Sequence, residues 1–460
     1  VGIVDEPEQP AESWGTITYR EMAERARAMA AGLDALGIGV GERVAMVSHN
    51  SARLLTALFG VSGSGRVLVP INFRLVAEEV KYIVAHAGAR MLLVDPELAD
   101  AMADVECEHK LVIGAEADAV LMKLAVAPEP WDGDEDATAT INYTSGTTAR
   151  PKGVQLTHRN LWLNASVFGW HMGVSDRDVS LHTLPQFHCT GWGMLYAVTG
   201  MGATHVIIRK IDGAEILRRV EEHGVTLMCG APAVLNMVLD AASTWEAETG
   251  RQIPGRGQVR IVVAGAPPPT RTIERCETEL GWEFVQIYGL TETTPVITMN
   301  RSRAEFDELA PAERAVKLSR AGAPVVGCTM AVSKDGEIMA RGNMVMAGYW
   351  EQPDQSDAAI HDGFFHTGDG GFIDDDQYVT ISDRKKDVII TGGENVSSIE
   401  VEDAIFQHPD VTEVAVIGIP DEKWGELVTA LVVRAAGSDL TEADLIAFTK
   451  SKLAGYKCPK

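Results

Sequence analysis

Basic residues are scarce in this sequence relative to acidic ones. Its 460 residues include 40 lysines and arginines against 65 aspartates and glutamates, which gives a formal net charge of −25 at pH 7. Such an excess repels nucleic-acid phosphates and anionic lipid headgroups, so it argues against nucleic-acid binding and against electrostatic attachment to membranes. An anionic ligand would therefore need positive charge and backbone donors placed locally.

Cysteine is also scarce, and no two cysteines form a Cys-x-x-Cys pair. The six are dispersed along the chain as Cys107, Cys189, Cys229, Cys276, Cys328 and Cys458. This spacing disfavours a zinc ribbon and a disulfide framework, and it fits a reducing compartment.

The sequence also lacks a long apolar run, since no stretch approaches the length needed to span a bilayer. Residues 1–10 are acidic and contain proline, unlike a secretory signal peptide. We therefore expect no transmembrane segment and a cytoplasmic location. Because the first residue is valine, we expect the N-terminus to be incomplete relative to the translated protein.

Strand and helix patterns alternate through most of the chain. Residues 18–36 predict a helix, because Thr18 and Glu21 form a capping-box pattern and Gly37 follows the last apolar residue. The alternation predicts an α/β fold whose mainly parallel sheets are layered with helices. The glycine-rich stretch 336–376 is more antiparallel in character.

We place a domain boundary at 382/383. Residues 1–382 would form a large multi-sheet N-terminal domain. Residues 383–460 would form a small α+β C-terminal domain, which begins with the charged stretch 383–387 as a turn between two strand patterns.

The stretch 143–153 carries the strongest chemical signal. It lies between a β-prone run, 138–143, and a helical pattern, 157–168, so we predict a strand, a loop and a helix in that order. Small and hydroxyl residues let a loop bind phosphate, and a lysine adds charge; those present are Thr144, Ser145, Gly146, Thr147, Thr148 and Lys152. The lysine spacing does not match the P-loop of kinases and GTPases. For the stretch alone, a flexible surface loop is the alternative.

This stretch resembles the phosphate loop of the acyl-adenylate-forming (AMP-binding) enzymes, the superfamily of acyl-CoA synthetases, firefly luciferase and peptide-synthetase adenylation domains. Ala149 departs from the pattern, since the family more often has glycine there. Further motifs follow in the family's order and at similar spacing. They favour the acyl-CoA synthetase, or fatty-acid–CoA ligase, branch.

The resemblance implies a nucleotide site built from several segments. One is the loop where backbone meets adenine and the acyl group, here Gly265, Ala266 and Pro267. Another holds the tyrosine that stacks on adenine and the threonine that reaches the α-phosphate, here Gln286, Ile287, Tyr288, Gly289, Leu290 and Thr291. The implied Mg²⁺ ligands are Thr147 and Glu292, and the implied ribose contacts are Asp369 and Arg384.

The resemblance also implies acyl and thiol sites. The acyl-site residues are Phe187, His188, Cys189 and Trp192, with Gly265 shared between the acyl and nucleotide sites. Trp192 matches the gating tryptophan of fatty acyl-CoA synthetases. His188 stands where amino-acid-activating relatives usually carry aspartate, so an amino-acid substrate is disfavoured. The hinge residue is Lys386, and the segment lining the coenzyme A channel is Gly392, Gly393, Glu394 and Asn395.

The implied activity is that of a carboxylic acid–CoA ligase that uses ATP, Mg²⁺ and coenzyme A. The implied catalytic residues are Thr147, Lys152, Glu292 and the hinge Lys386. We expect an aliphatic acid of short, medium or fatty chain length. The alternatives are an acyl-AMP ligase that loads a carrier protein and an inactive nucleotide-binding relative. A homodimer is the default expectation.

The family's adenylation lysine follows a segment like 454–460. We therefore expect this lysine beyond Lys460, with the C-terminal domain truncated before it. We also expect the 460-residue chain alone to adenylate poorly, because nothing replaces that charge on the α-phosphate.

Overall fold

The computed structural model describes residues 1–123, 127–144, 150–384, 387–391, 394–421 and 424–460, and the side chain of Arg384 lies outside this description. In chain order the strands are β1 (Ile3–Val4), β2 (Thr16–Ile17), β3 (Arg43–Val47), β4 (Val67–Ile71), β5 (Ala89–Val94), β6 (His109–Val112), β7 (Thr138–Thr144), β8 (Lys152–Thr157), β9 (Val179–His182), β10 (Thr204–Ile207), β11 (Leu227–Gly230), β12 (Arg260–Val263), β13 (Glu283–Gly289), β14 (Val296–Arg301), β15 (Ala323–Pro324), β16 (Cys328–Val332), β17 (Glu337–Gly342), β18 (Gly348–Tyr349), β19 (Ile360–His361), β20 (Phe364–Ile373), β21 (Val379–Arg384), β22 (Ile389–Thr391), β23 (Glu394–Val396), β24 (Val411–Asp421) and β25 (Gly425–Arg434).

The helices are α1 (Tyr19–Ala35), α2 (Ala52–Gly60), α3 (Ala77–Ala87), α4 (Ala115–Leu121), α5 (His158–Met172), α6 (Cys189–Trp192), α7 (Met194–Met201), α8 (Gly213–His223), α9 (Pro232–Thr249), α10 (Thr270–Arg275), α11 (Pro311–Leu318), α12 (Pro353–Ala359), α13 (Ser398–Phe406) and α14 (Glu442–Lys452). Among the described residues, none of these helices is long and apolar enough to cross a membrane.

Helix α1 begins where its capping pattern predicts. The Thr18 hydroxyl accepts a hydrogen bond from the Glu21 amide at 3.2 Å, and the Glu21 carboxylate accepts one from the Thr18 amide at 2.7 Å. Its apolar face, with Met22, Met29 and Leu33, is buried. This face packs in one core cluster with residues of α2 and β3, as the apolar spacing predicts.

Two large sheets dominate the N-terminal part. A seven-stranded sheet has the order β18-β8-β7-β4-β3-β5-β6, and a nine-stranded sheet has the order β15-β14-β13-β12-β11-β9-β10-β1-β2. The central strands pair in parallel, and the antiparallel pairs lie towards the sheet edges. This architecture confirms the predicted α/β class.

Antiparallel sheets occupy the rest of the chain. A five-stranded sheet is formed by β16, β17, β19, β20 and β21, and a four-stranded sheet has the order β23-β22-β25-β24. The four-stranded sheet and α13 enclose a small core that includes Ile389, Val401 and Val428. The boundary at 382/383 falls within β21 and stays a prediction.

The predicted strand and helix flank the stretch 143–153, but the predicted order is incomplete because it omits a second strand. Strand β8 intervenes between the loop and α5, and it pairs antiparallel with β7 so that Thr144 lies opposite Lys152. Buried Val154 and Leu156 explain why this segment joins the sheet. The loop therefore closes a hairpin, and the N-terminus of α5, which is capped by Thr157, is one strand away from it.

One smaller expectation also needs correction. Asp383 and Arg384 belong to β21 rather than to a charged turn. Helix α10 ends at Arg275, and a π-helical turn, Cys276–Leu280, continues it.

A buried histidine pair lies on two neighbouring strands of the nine-stranded sheet, β9 and β10. His182 Nε2 lies 2.8 Å from His205 Nδ1, and His205 Nε2 lies 2.9 Å from the Thr199 hydroxyl. That hydroxyl donates its single proton to the Leu195 carbonyl, so it accepts a proton from His205 Nε2. Burial lowers the pKa of His182 to about 3 and that of His205 well below its usual value, so both imidazoles are neutral.

This pair predicts a loss of stability in mild acid. An unfolded histidine has a pKa of about 6.5, so below that pH the unfolded state binds more protons than the folded state. Stability should be complete above about pH 6.5 and should fall by up to about 1.4 kcal/mol per pH unit for each imidazole as the pH drops. Urea unfolding at pH 7.5, 6 and 5 measures this slope. A His205→Gln variant should show a shallower slope, and an equal slope in the variant would refute the assignment.

Candidate active site

The proposed nucleoside residues meet where two sheets adjoin. Tyr288, near the end of β13, donates a hydrogen bond from its hydroxyl to Asp369 Oδ2 at 2.6 Å. Asp369 is buried in β20 and pairs directly with Arg384 of β21. Residues opposite one another on antiparallel strands have neighbouring side-chain origins. The backbone thus brings three predicted nucleoside residues together, although the side chain of Arg384 is outside the description.

The predicted adenine loop leaves the strand next to β13. Gly265, Ala266 and Pro267 are exposed and follow β12, which pairs in parallel with β13. Gly265 has a φ of +89°, which favours glycine. Because the carboxyl ends of neighbouring parallel strands lie at one edge of a sheet, this loop and the segment 288–291 border one crevice.

The side chains of residues 286, 287 and 290 are buried or half-buried at this edge of the sheet. Ile287 is buried in the core, and Leu290 packs against the same cluster. Gln286 is also buried, and among the described residues its Oε1 has no hydrogen-bond partner. An acceptor of this kind can be satisfied by an ordered water or a ligand donor.

Lys152, predicted to bind phosphate, and Glu292, predicted to bind the metal, both contact Tyr349. The Lys152 ammonium lies 4.7 Å from the centre of the Tyr349 ring, and the Tyr349 hydroxyl donates to Glu292 Oε1 at 2.8 Å. Glu292 and Thr291 lie in the 3-10 turn Thr291–Thr293, which follows β13. Thr144 ends β7, and the predicted phosphate ligands Ser145, Gly146, Thr147 and Thr148 lie outside the described residues.

The donor set fits a magnesium ion that arrives with a nucleotide. Within the described residues, no group of three or more histidine, cysteine, aspartate or glutamate side chains could hold a metal ion by itself. Mg²⁺ is commonly bound by one or two carboxylates together with substrate phosphates and waters. Among the described residues, Glu292 supplies one such carboxylate, and the phosphate oxygens of the nucleotide would complete the coordination shell.

The predicted acyl residues form an aromatic surface. Phe187 is buried and meets Phe73 edge-on with ring centres 5.6 Å apart, and the rings of His188 and Trp192 lie 6.5 Å apart. His188 is exposed, yet surrounding atoms and the charge of Arg74 lower its pKa. The lowered pKa leaves this imidazole neutral at neutral pH.

The acyl residues lie on an unusual left-handed turn. Cys189, Thr190 and Trp192 have φ angles of 37°, 43° and 56°, and the two glycines of this run, at 191 and 193, are left-handed too. Each non-glycine residue in this conformation costs about 1–2 kcal/mol. Asn164 of α5 supports the turn, since its Nδ2 lies 3.4 Å from the Trp192 carbonyl oxygen.

Cys189 connects the left-handed turn 189–193, here called the acyl turn, to the 3-10 turn Thr291–Thr293, here called the metal turn. Its Sγ lies 3.9 Å from the carbonyl oxygen of Thr291, and it is buried. Burial raises the pKa of this thiol, and the Glu292 carboxylate raises it further, so the sulfur stays protonated. The arrangement suits a wall of the acyl site and disfavours a nucleophile.

The predicted hinge and coenzyme A residues are only partly described. Lys386, Gly392 and Gly393 lie outside the described residues. Glu394 and Asn395 are exposed on β23, where Glu394 pairs with Thr391 of β22. The structure does not bring them into contact with the nucleotide residues described above.

Sequence reasoning missed two residues of this site. Tyr349 follows a glycine within an apolar run, and Asn164 lies inside a helical pattern. Neither belongs to a motif quoted for the family, so the sequence offers no spacing signal for them. Only the strand pairing and the left-handed turn reveal their positions.

Comparisons with known proteins are consistent across sequence and structure. Residues 3–350 match the family described as AMP-binding enzyme, and residues 400–460 match the AMP-binding enzyme C-terminal domain. The chain is 35% identical to 4-hydroxybutyrate–CoA ligase 2 of Metallosphaera sedula, over 96% of this chain and 85% of that protein. It is 34% identical to 2-methylpropanoate–CoA ligase CCL4 of Humulus lupulus, over 96% and 86%.

A similar solved structure is the o-succinylbenzoate CoA synthetase MenE of Bacillus subtilis in complex with its acyl-adenylate intermediate. The two share 29% identity and a TM-score of 0.84, with 100% of this chain and 90% of that one covered.

The nucleoside assignment predicts a selective effect of changing Asp369. Hydrogen bonds to a charged acceptor contribute about 1.5–3 kcal/mol, so Asp369→Asn should weaken ATP binding by roughly tenfold or more. Tyr288→Phe keeps the stacking surface and should have a smaller effect. Calorimetric titration with ATP and with 2′,3′-dideoxy-ATP measures both. The wild type should prefer ATP, and the assignment is wrong if Asp369→Asn keeps the same preference.

Proposed function

The chain belongs to the AMP-binding enzyme family, and on that premise we propose that it is an ATP-dependent carboxylic acid–CoA ligase. One observation carries the proposal, namely that the short segment 288–292 contacts the predicted nucleoside, acyl and phosphate–metal residues. Tyr288 contacts Asp369, the Thr291 carbonyl contacts Cys189 of the acyl turn, and Glu292 contacts Tyr349 beside Lys152. Such an arrangement can hold a nucleotide, its metal and an acyl group next to one another.

The first half-reaction joins the acid to the nucleotide. A carboxylate oxygen attacks the α-phosphorus of ATP, the bond to the bridging oxygen breaks, and pyrophosphate leaves. Tyr288, Asp369 and Arg384 hold the nucleoside, and Lys152 offsets the phosphate charge. When bound, Mg²⁺ supplies charge neutralisation at the phosphates, and the proposed ligands are Glu292 and Thr147.

The second half-reaction transfers the acyl group to coenzyme A. The thiol sulfur attacks the acyl carbon, and AMP leaves with the oxygen that had joined the acid to phosphorus. We propose that residues 383–460 rotate about Lys386, bringing Gly392, Gly393, Glu394 and Asn395 to the thiol channel. In the present orientation Asp403 accepts hydrogen bonds from Thr270, and Arg271 donates to the carbonyl oxygens of Phe406 and His408. These bonds have to break during the rotation.

The proposed acid is aliphatic. Phe187 and Trp192 offer apolar surface, and the neutral His188 supplies no negative charge to pair with the ammonium of an amino acid. Similar ligases are named for 4-hydroxybutyrate and 2-methylpropanoate, which are short aliphatic acids. This supports the short-chain end of the range more than the fatty end.

We also propose that the protein resides in a reducing compartment such as the cytoplasm. All six cysteines are free thiols, as such a compartment favours. We further propose that the protein is a homodimer, because exposed Trp162, Trp170 and Met201 supply apolar surface suited to an interface. Light scattering and imaging of a tagged protein test these two statements.

A panel of acids tests the proposed reaction. Full-length protein is incubated with ATP, Mg²⁺, coenzyme A and acids from acetate to long-chain fatty acids, with aryl and amino acids included. Mass spectrometry should detect acyl-CoA and AMP, with the highest rates for short aliphatic acids. Acyl-adenylate without acyl-CoA would indicate a carrier-loading enzyme instead. ATP binding without product would indicate a nucleotide-binding protein.

A further inference from the structure

Tyr349 lies on a short strand, β18, and contacts both the hairpin of β7 and β8 and the turn Thr291–Thr293. Strand β18 pairs antiparallel with β8, so that Tyr349 lies opposite Val154, two residues along the strand from Lys152. The neighbouring Trp350 amide donates to the Gly153 carbonyl at 2.7 Å. Residues two apart on a strand share a face, so this pairing fixes the Tyr349 ring beside the Lys152 side chain.

The same segment also holds Glu292 from two directions. The Met346 amide donates to the Glu292 backbone carbonyl at 2.8 Å, and the Tyr349 hydroxyl donates to the side-chain Oε1 at 2.8 Å. The Tyr349 amide in turn donates to the Ser356 hydroxyl at 2.8 Å, which anchors the strand from behind. Both the backbone and the carboxylate of Glu292 therefore depend on the position of one segment.

Tyr349 touches two opposite charges that do not pair with each other. The Lys152 ammonium lies over its ring and the Glu292 carboxylate accepts from its hydroxyl, while within the described residues no ion pair joins the two. A lysine and a glutamate close enough to meet would otherwise neutralise one another. The ring offers the cation an aromatic face, and the hydroxyl occupies one carboxylate oxygen.

We propose that Tyr349 is a positioning residue that keeps the Lys152 ammonium and the Glu292 carboxylate apart, so that the first is available to phosphate and the second to Mg²⁺. This inference rests on the proposed function, because it assigns ligands to those two charges. It adds a residue that belongs to none of the sequence motifs.

Two substitutions of Tyr349 separate the contribution of its hydroxyl from that of its ring. Tyr349→Phe keeps the ring between the charges and removes the hydrogen bond to Glu292. The concentration of Mg²⁺ that half-saturates ATP binding should rise by about tenfold, because a hydrogen bond to a charged group is lost, while ATP affinity at saturating Mg²⁺ stays within about threefold. Tyr349→Leu removes the ring as well. It should weaken ATP binding even at saturating Mg²⁺, because Lys152 and Glu292 can then pair.

Tyr378→Phe is a matched control. Tyr378 is also buried, accepts a hydrogen bond from Arg303 and lies under the Arg320 guanidinium, 3.9 Å from the ring centre, but it contacts none of the proposed ligands. Its variant should match the wild type in the Mg²⁺ titration. Thermal melting of all variants checks that each is folded.

Equilibrium binding of ATP at increasing Mg²⁺ is the primary readout, and pyrophosphate release is the second. An unchanged Mg²⁺ requirement in a folded Tyr349→Phe variant would overturn the inference, as would equal effects of Tyr349→Phe and Tyr349→Leu on ATP affinity at saturating Mg²⁺. Binding is independent of turnover. A wild-type protein that binds ATP with Mg²⁺ but forms no acyl-CoA would therefore refute the proposed function, while the variants would still decide the role of Tyr349.

Discussion

The hydrogen bond between Tyr288 and Asp369 joins two sheets of different type, one mainly parallel and one antiparallel. Tyr288 ends a strand of the mainly parallel nine-stranded sheet, and Asp369 lies 81 residues later in the antiparallel five-stranded sheet. The candidate site exists because these sheets meet at the carboxyl ends of β12 and β13. A displacement of either sheet would separate the residues proposed to hold the nucleoside from those proposed to hold phosphate and metal.

The site also contains local conformations that are unfavourable by themselves. Three non-glycine residues of the turn 189–193 are left-handed, at a cost of about 1–2 kcal/mol each. The surrounding structure offsets this cost, since Cys189 and Trp192 are buried and Asn164 contacts the Trp192 carbonyl. Strain of this kind persists where packing fixes the backbone, and here the strained turn places the Cys189 sulfur beside the turn that carries Thr291 and Glu292.

The sequence allowed the fold class and the chemistry of the site to be predicted, but not the contacts within it. Apolar spacing and the Thr18 cap identified α1, and the strand–helix alternation identified the parallel sheets. The hairpin of β7 and β8 was missed, because the short strand β8 lies directly between a loop and a helix and its partner strand is unknown from local sequence. Tyr349 was missed for a related reason, since its role depends on pairing with a strand nearly 200 residues earlier. Local patterns carry no information on such pairings.

The central claim is that the acid is activated by bonding to the α-phosphorus of ATP. Its most direct test is an isotope transfer experiment, in which full-length protein is incubated with ATP, Mg²⁺, coenzyme A and an acid labelled with ¹⁸O in both carboxylate oxygens. Attack on the α-phosphorus followed by thiol attack on the acyl carbon leaves one carboxylate oxygen on the nucleotide. Mass spectrometry should therefore find one ¹⁸O atom in each AMP formed. Unlabelled AMP, or ADP together with labelled inorganic phosphate, would contradict the account.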